Sequence, residues 1–416
     1  MLKKYFFLFI LFLFLSVNGQ NAIETQPPYH IKTISFLVNN QNVMPIFRLG
    51  DNFDFIFDDL HATEDDYYYE INHYNYNWTP SDLTKNEYIG GVDNQRILDY
   101  RNSLNALQLY SHYRLSFPNK FTQITKSGNY LISIFDNNHE LVFSKSFIVY
   151  EYLADVPMQV KRARNISDAA SKHNLDFTIK SKNILFQNPQ VNLKVVLLQN
   201  NKWNNAIYNI KPQYTIGNDL IFKYDQETQF YAVNEYYFFD TKEIMAANNS
   251  VARITSNGGL YNSLLYTNTA RKNNIYTFFP DVNGNFQVRN LRAENSEIEA
   301  DYSWVYFVLF APDVPQNSNV YVTGMFNNNV TNAENKMDYN STKGVFEKAI
   351  LIKQGFVNYR YTKLDDQNQV REKDNIDGNF FQTENDYTAL VYYRANGERY
   401  DRIVGKGNCN SVNIIN

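Results

Sequence analysis

The chain has a single cysteine, Cys409, among its 416 residues, so no internal disulfide can form and every domain must hold itself together by its hydrophobic core. Cys409 lies near the end of the chain with no histidine or basic cluster in the sequence around it. That pattern reads as a dispensable tail residue rather than a reactive thiol. Only 16 glycines and 11 prolines are present, so turns must be built largely on asparagine. No excess of positive charge exists either: the formal net charge is −4, so no basic field advertises nucleic acid or an anionic membrane surface. After the first twenty residues no apolar run reaches the roughly 18 residues of a transmembrane helix.

The start of the chain is the exception. Lys3 and Lys4 precede an apolar stretch from Tyr5 to Val17, and Val17 and Gly19 supply small residues for cleavage before Gln20. This is the pattern of a secretory signal peptide, too short for a stable span. No cysteine follows it, so no direct lipid anchor is expected. About 400 residues remain, enough for two or three domains.

What the chain has in abundance is aromatic residues, 33 Tyr and 31 Phe, together with asparagine. Aromatics suit pleated, half-buried surfaces, and asparagine tolerates left-handed turn positions. Alternating segments recur at Ile31 to Leu37, Phe53 to Phe57, Tyr67 to Tyr74, Tyr113 to Phe117, Tyr130 to Phe135 and Leu141 to Tyr150. A second set comprises Leu175 to Ile179, Val191 to Gln199, Leu220 to Tyr224, Tyr236 to Asp240 and Ile275 to Phe279. A third runs through Ser303 to Phe310, Asn319 to Thr323, Val345 to Ile352, Val357 to Thr362 and Tyr387 to Tyr393. Short strands at this spacing predict an all-β protein of tandem antiparallel β-sandwich domains, immunoglobulin-like or early-set-like. The expected limits are residues 1–19 for the signal, 20–152, 153–298 and 299–407 for three sandwiches, and 408–416 for a tail. Trp78, Trp203 and Trp304 fall one per domain and read as core or domain-packing residues.

Residue patterns that carry chemistry are few. The six histidines, His30, His61, His73, His112, His139 and His173, lack the spacing of a zinc site, so no metal site is expected. No Gly-rich phosphate loop and no nucleophile elbow occur, and no catalytic residue or cofactor is expected. The acidic stretch Asp51, Asp54, Asp58, Asp59, Glu64, Asp65 and Asp66 reads as the solvated face and loop of an alternating strand. Asp281-Val282-Asn283-Gly284-Asn285 lacks the closing glutamate of a calcium loop and reads as a hairpin turn on Asn283-Gly284. Lys161-Arg162-Ala163-Arg164, the one basic run, reads as a solvated linker face, with a contact to an acidic partner as the alternative.

A set of ordered motifs goes further. Trp78-Thr79-Pro80-Ser81-Asp82-Leu83, Asn86-Glu87-Tyr88-Ile89-Gly90-Gly91, Asp99-Tyr100-Arg101-Asn102-Ser103 and Tyr110-Ser111-His112-Tyr113-Arg114-Leu115 stand in the first domain. Asn200-Asn201-Lys202-Trp203, Asn234-Glu235-Tyr236, Lys353-Gln354-Gly355, Asp377-Gly378-Asn379-Phe380, Thr383-Glu384-Asn385-Asp386-Tyr387 and Arg399-Tyr400-Asp401 follow in order. Together they resemble the type IX secretion system plug protein family of the Bacteroidetes. One departure is Tyr237, where the family pattern leads one to expect an arginine two residues after Glu235.

The resemblance implies a periplasmic protein, held at the outer membrane through its partner. That partner is the giant outer-membrane β-barrel translocon, whose periplasmic mouth the plug closes when no substrate occupies it. Thr79 to Asn105 is the densest block of matching residues, and long loops are often functional. Trp78, Glu87, Tyr88, Asp99, Tyr100 and Arg101 are therefore the candidate partner contacts, with a purely structural loop as the alternative. The last domain also resembles the early-set sandwich of glycogen-binding modules through Val320-Tyr321-Val322-Thr323-Gly324, but Phe326-Asn327-Asn328-Asn329 carries none of their exposed tryptophans. A carbohydrate-binding or other accessory role at the outer membrane is the alternative function.

Overall fold

A computed structural model describes residues 24–181, 184–256 and 259–414; the segment 1–19, expected from its sequence to be a signal peptide, lies outside them. Almost all regular structure is β, in three sandwiches, each with its own aromatic and aliphatic core. Among the described residues, strand pairing is antiparallel apart from three short parallel pairs.

The first sandwich stacks two five-stranded sheets. One is built on the strands Ile31–Val38, Phe53–Asp59 and Ser111–Phe117, the other on Tyr68–Tyr74, Gly128–Phe135 and Leu141–Tyr150. Alternation explains this directly: Phe55 and Phe57 meet Tyr69, Ile71, Tyr130 and Phe147 between the sheets. Asparagine fills most of the non-glycine positions of positive φ. It closes two-residue hairpins at Asn39–Asn40, between paired Val38 and Gln41, and at Asn200–Asn201, between paired Gln199 and Lys202.

The contiguous limits expected for the other two sandwiches need correction. The strand Leu193–Gln199 pairs with Asp386–Tyr393, which pairs in turn with Arg402–Asn410. The middle sandwich is therefore completed by the end of the chain. In the same way Tyr237–Asp240 and Phe286–Val288 flank Gly355–Lys363 in the last sandwich. Periodicity reveals strands but not which strands pair, and here the pairing is non-local. The 408–416 tail is also corrected: Cys409 sits in a strand opposite Tyr387 and packs on the middle core. Burial there pushes its thiol up to about 12.

The expected strand from Ile275 to Phe279 does not form; the segment joins no sheet, and Ile275, Phe278 and Phe279 are exposed. Asn283-Gly284 makes the expected tight turn, but it leads into Phe286–Val288, whose partner is Gly355–Lys363 rather than a hairpin mate. The basic run is not a free linker either. Lys161 pairs with Asp176 at 2.6 Å, Arg164 with Asp225 at 2.9 Å, and Arg162 lies 4.0 Å over the Phe381 ring.

Candidate docking face and the joints between sandwiches

The most concentrated polar chemistry lies where sandwiches meet. Between the first and last, Asp58 is fully buried rather than solvated, correcting the reading of the acidic stretch. Its Oδ1 lies 2.6 Å from His112 Nδ1, and its Oδ2 accepts from Lys353 Nζ and from the Tyr302 hydroxyl, each at 2.6 Å. Lys353 also donates to the Glu297 carbonyl and lies 4.0 Å over the Tyr110 ring. Burial alone would raise the Asp58 carboxyl, but Lys353 and His112 outweigh it and hold the group below the usual carboxylate range. A bulge in the first strand turns Thr33, at φ 54°, so that its hydroxyl bonds Tyr302 across the joint. Asp59 is buried next to Asp58, bonded to the Tyr67 hydroxyl at 2.9 Å.

The first and middle sandwiches meet through apolar contact and a second polar set. Trp78 packs edge-on against Trp203 at 5.1 Å beside Val196, Leu198, Leu390 and Tyr392. Tyr392 donates to Asn129 at 2.7 Å, Arg394 to Asn75 at 2.8 Å, and Arg402 grips Glu151 with two nitrogens. Trp304 packs on the other joint with Tyr110, Tyr302 and Leu351. All three tryptophans thus lie at joints.

The middle and last sandwiches share the third set. Glu235, 1% exposed, accepts from the Tyr276 hydroxyl and from the Glu384 amide, and burial pushes its carboxyl up to about 7. Asp281 rises to about 6 for the same reason, and burial lowers the Lys202 ammonium to about 7. Where an arginine was expected, Tyr237 donates to Asp377 at 2.7 Å. An arginine reaches the same carboxylate from another segment: Arg271 Nε is 3.1 Å from Asp377, with its guanidinium 3.9 Å over the Tyr237 ring.

The six residues singled out in the sequence separate into three groups. Tyr88 is buried in the first core, and Trp78 is a joint residue, so neither presents a free contact surface. Glu87 caps the short helix Lys85–Tyr88 through Thr84 and pairs with Arg399, tying the loop to the middle sandwich. Asp99, Tyr100 and Arg101 lie together on the strand Asp99–Asn102, at the edge of its sheet. Asp99 and Arg101 are exposed, and Tyr100 tilts onto Tyr113.

Leu98, Leu104, Leu107 and Leu109 flank this edge, each more than half exposed. The loop they occupy is fixed from behind, because Leu104 donates to the Ile298 carbonyl and the amides of Leu107 and Gln108 donate to Asp301. An open cleft of about 630 Å³ adjoins it, lined by Asp99, Arg101, His112, Arg114, Glu297 and Lys353. A strand edge, exposed leucines and a charged cleft held on two sandwiches at once make a surface suited to gripping another protein. The joints themselves were not foreseeable from residue spacing, since Asp58 and Lys353 are 295 positions apart.

No helix among the described residues is long and apolar enough to cross a membrane. Comparison with known proteins agrees with the sequence motifs. The family described as "Type 9 secretion system plug protein 1st domain" matches residues 31–151, the first sandwich. A crystal structure of a hypothetical protein from Parabacteroides merdae ATCC 43184 is similar over nearly the whole chain, with 31% identity and a TM-score of 0.87. The match covers 93% of this chain and 98% of that one. No curated protein matches. With the family match on the first sandwich and a relative of the same three-sandwich extent, the chain belongs to the type 9 secretion system plug protein family and is a plug-like component of type IX secretion.

Proposed function

We propose that this protein works from the periplasm as a steric stopper, binding and sealing the periplasmic opening of the outer-membrane translocon barrel when no substrate fills it, and that it acts by binding rather than catalysis. The observation that carries this reading is the locking of all three sandwiches to one another. The first–last joint combines buried aromatic contact with the buried Asp58–Lys353 pair, the first–middle joint combines apolar contact with half-buried arginine pairs, and the middle–last joint holds the buried, hydrogen-bonded Glu235; such contacts resist relative motion of domains. A stopper must present a wide surface and hold it still, and a stack of jointed sandwiches does both. The edge strand Asp99–Asn102 with its exposed leucines is the face we assign to the barrel rim.

An unfilled barrel lumen conducts water and solutes. Deleting the protein from a strain with an intact translocon is therefore expected to raise vancomycin sensitivity, and deleting the translocon as well should remove the increase. A single deletion no more permeable than wild type overturns the sealing role, as does a leak that persists without the translocon.

A further inference from the structure

Sequence spacing leaves the histidines scattered, but antiparallel pairing of Ile31 with Asp59 brings His30, at the entry to the first strand, beside the residues that end its neighbour. The His30 and His61 rings stack with centroids 4.0 Å apart and planes 22° from parallel. His61 Nδ1 lies 3.5 Å from Asp59 Oδ1, and one ligand atom from each of the three residues falls within 4.8 Å of the others. We propose that His30, Asp59 and His61 bind a divalent transition-metal ion of the zinc class, with the remaining coordination positions open to water.

The distances suit this chemistry. Bonds of about 2.1 Å at a tetrahedral angle place neighbouring ligand atoms about 3.4 Å apart, and His61 and Asp59 already stand at 3.5 Å. Near-parallel rings do not aim their in-plane lone pairs at one point, so ion binding requires one imidazole to turn about its Cβ–Cγ bond, which the exposed His61 ring is free to do. The ligands are also held from behind. The Tyr67 hydroxyl donates to Asp59 Oδ2 at 2.9 Å, the His61 amide donates to Asp59 Oδ1 at 3.0 Å, and the Leu60 amide donates to the His30 carbonyl at 2.9 Å. Such supporting bonds orient carboxylate and backbone as second partners do in known metal centres. Two imidazoles and one carboxylate favour zinc, copper or nickel over magnesium or calcium, which prefer all-oxygen sets.

Buried Asp59 forms the floor and His61, more than half exposed, the rim, so an ion can enter from solvent. Leu60, between two of the ligands, packs on the cluster of Tyr110, Tyr302 and Leu351. An ion here would therefore clip the start of the first strand to the joint between first and last sandwiches.

Isothermal titration of the tag-free chain with zinc chloride tests the site, with cobalt(II) absorption as a second readout. One equivalent is expected, bound at least about 10-fold more weakly after removal of a single ligand in His61→Ala or His30→Ala, with magnesium chloride giving no competing heat. His61→Ala is the deciding variant, because its exposed ring leaves the fold intact, as circular dichroism would verify. Absence of zinc binding overturns the proposal. So does binding whose affinity and stoichiometry are the same in His61→Ala as in the unaltered chain.

Discussion

Replacing Lys353 with methionine would leave Asp58 buried at the joint between the first and last sandwiches without its strongest partner. Removing one member of a buried ion pair typically costs about 3–5 kcal/mol. Asp58 keeps His112 and the Tyr302 hydroxyl, both at 2.6 Å, which places the expected loss near the lower end, about 3 kcal/mol. Lys353→Met also forfeits the contact with the Tyr110 face and the bond to the Glu297 carbonyl. Adding Asp58→Asn removes the stranded charge, so the double variant should recover at least about half of the loss.

The assay is denaturant unfolding followed by intrinsic fluorescence, because Trp304 packs at this joint. The pH dependence supplies a control. Asp58 is held below its ordinary value, so its contribution is present above the unfolded carboxylate range and disappears as pH falls through the lower folded value. Two results would refute the reasoning. A single-variant loss under about 1 kcal/mol would mean the pair behaves like a solvated one, and a double variant no better than the single would mean the stranded charge was never the cause.

Between about pH 4.5 and 7 stability should fall, by up to about 3 kcal/mol, from Glu235 alone. Its folded value of about 7 exceeds its ordinary 4.5, so the advantage is complete below the unfolded value and lost as pH rises through the folded one; Glu235→Gln should flatten melting temperature over this range, and an unchanged slope counts against the assignment. Cys409 should react slowly with iodoacetamide in the folded chain and quickly in denaturant, because burial pushes the thiol up to about 12. Cys409→Ser should lower stability by only about 1 kcal/mol and leave partner binding intact; rapid native labelling would contradict the strand placement.

Individual strands were legible where their alternation is strong: Tyr68–Tyr74, buried at every second residue, reads directly from sequence. Partners were not legible, since nothing local in Leu193–Gln199 points to Asp386–Tyr393 rather than to a nearer strand. The same limit hid the site chemistry. Asp58 ends an alternating strand and looks solvated until the last sandwich is laid over it. His30 and His61 look unrelated until the strands Ile31–Val38 and Phe53–Asp59 pair. Of the six contact candidates, Asp99, Tyr100 and Arg101 share one edge, whereas Tyr88 is a core aromatic whose burial no single sequence reveals.

The return of the chain end into the middle sandwich has a consequence for the order in which the molecule can mature. Growing from its N-terminus, the chain can complete the first sandwich early. The strand Leu193–Gln199 must then wait almost two hundred residues for Asp386–Tyr393, and all that time it presents one unpaired, largely apolar edge of the kind that recruits other chains. The last sandwich, lying between these two halves in sequence, can close first and carry the late strands back to their place. A truncation near the C-terminus would thus unravel the centre of the molecule rather than trim its end, and a nascent chain is most exposed to aggregation just before its final thirty residues arrive.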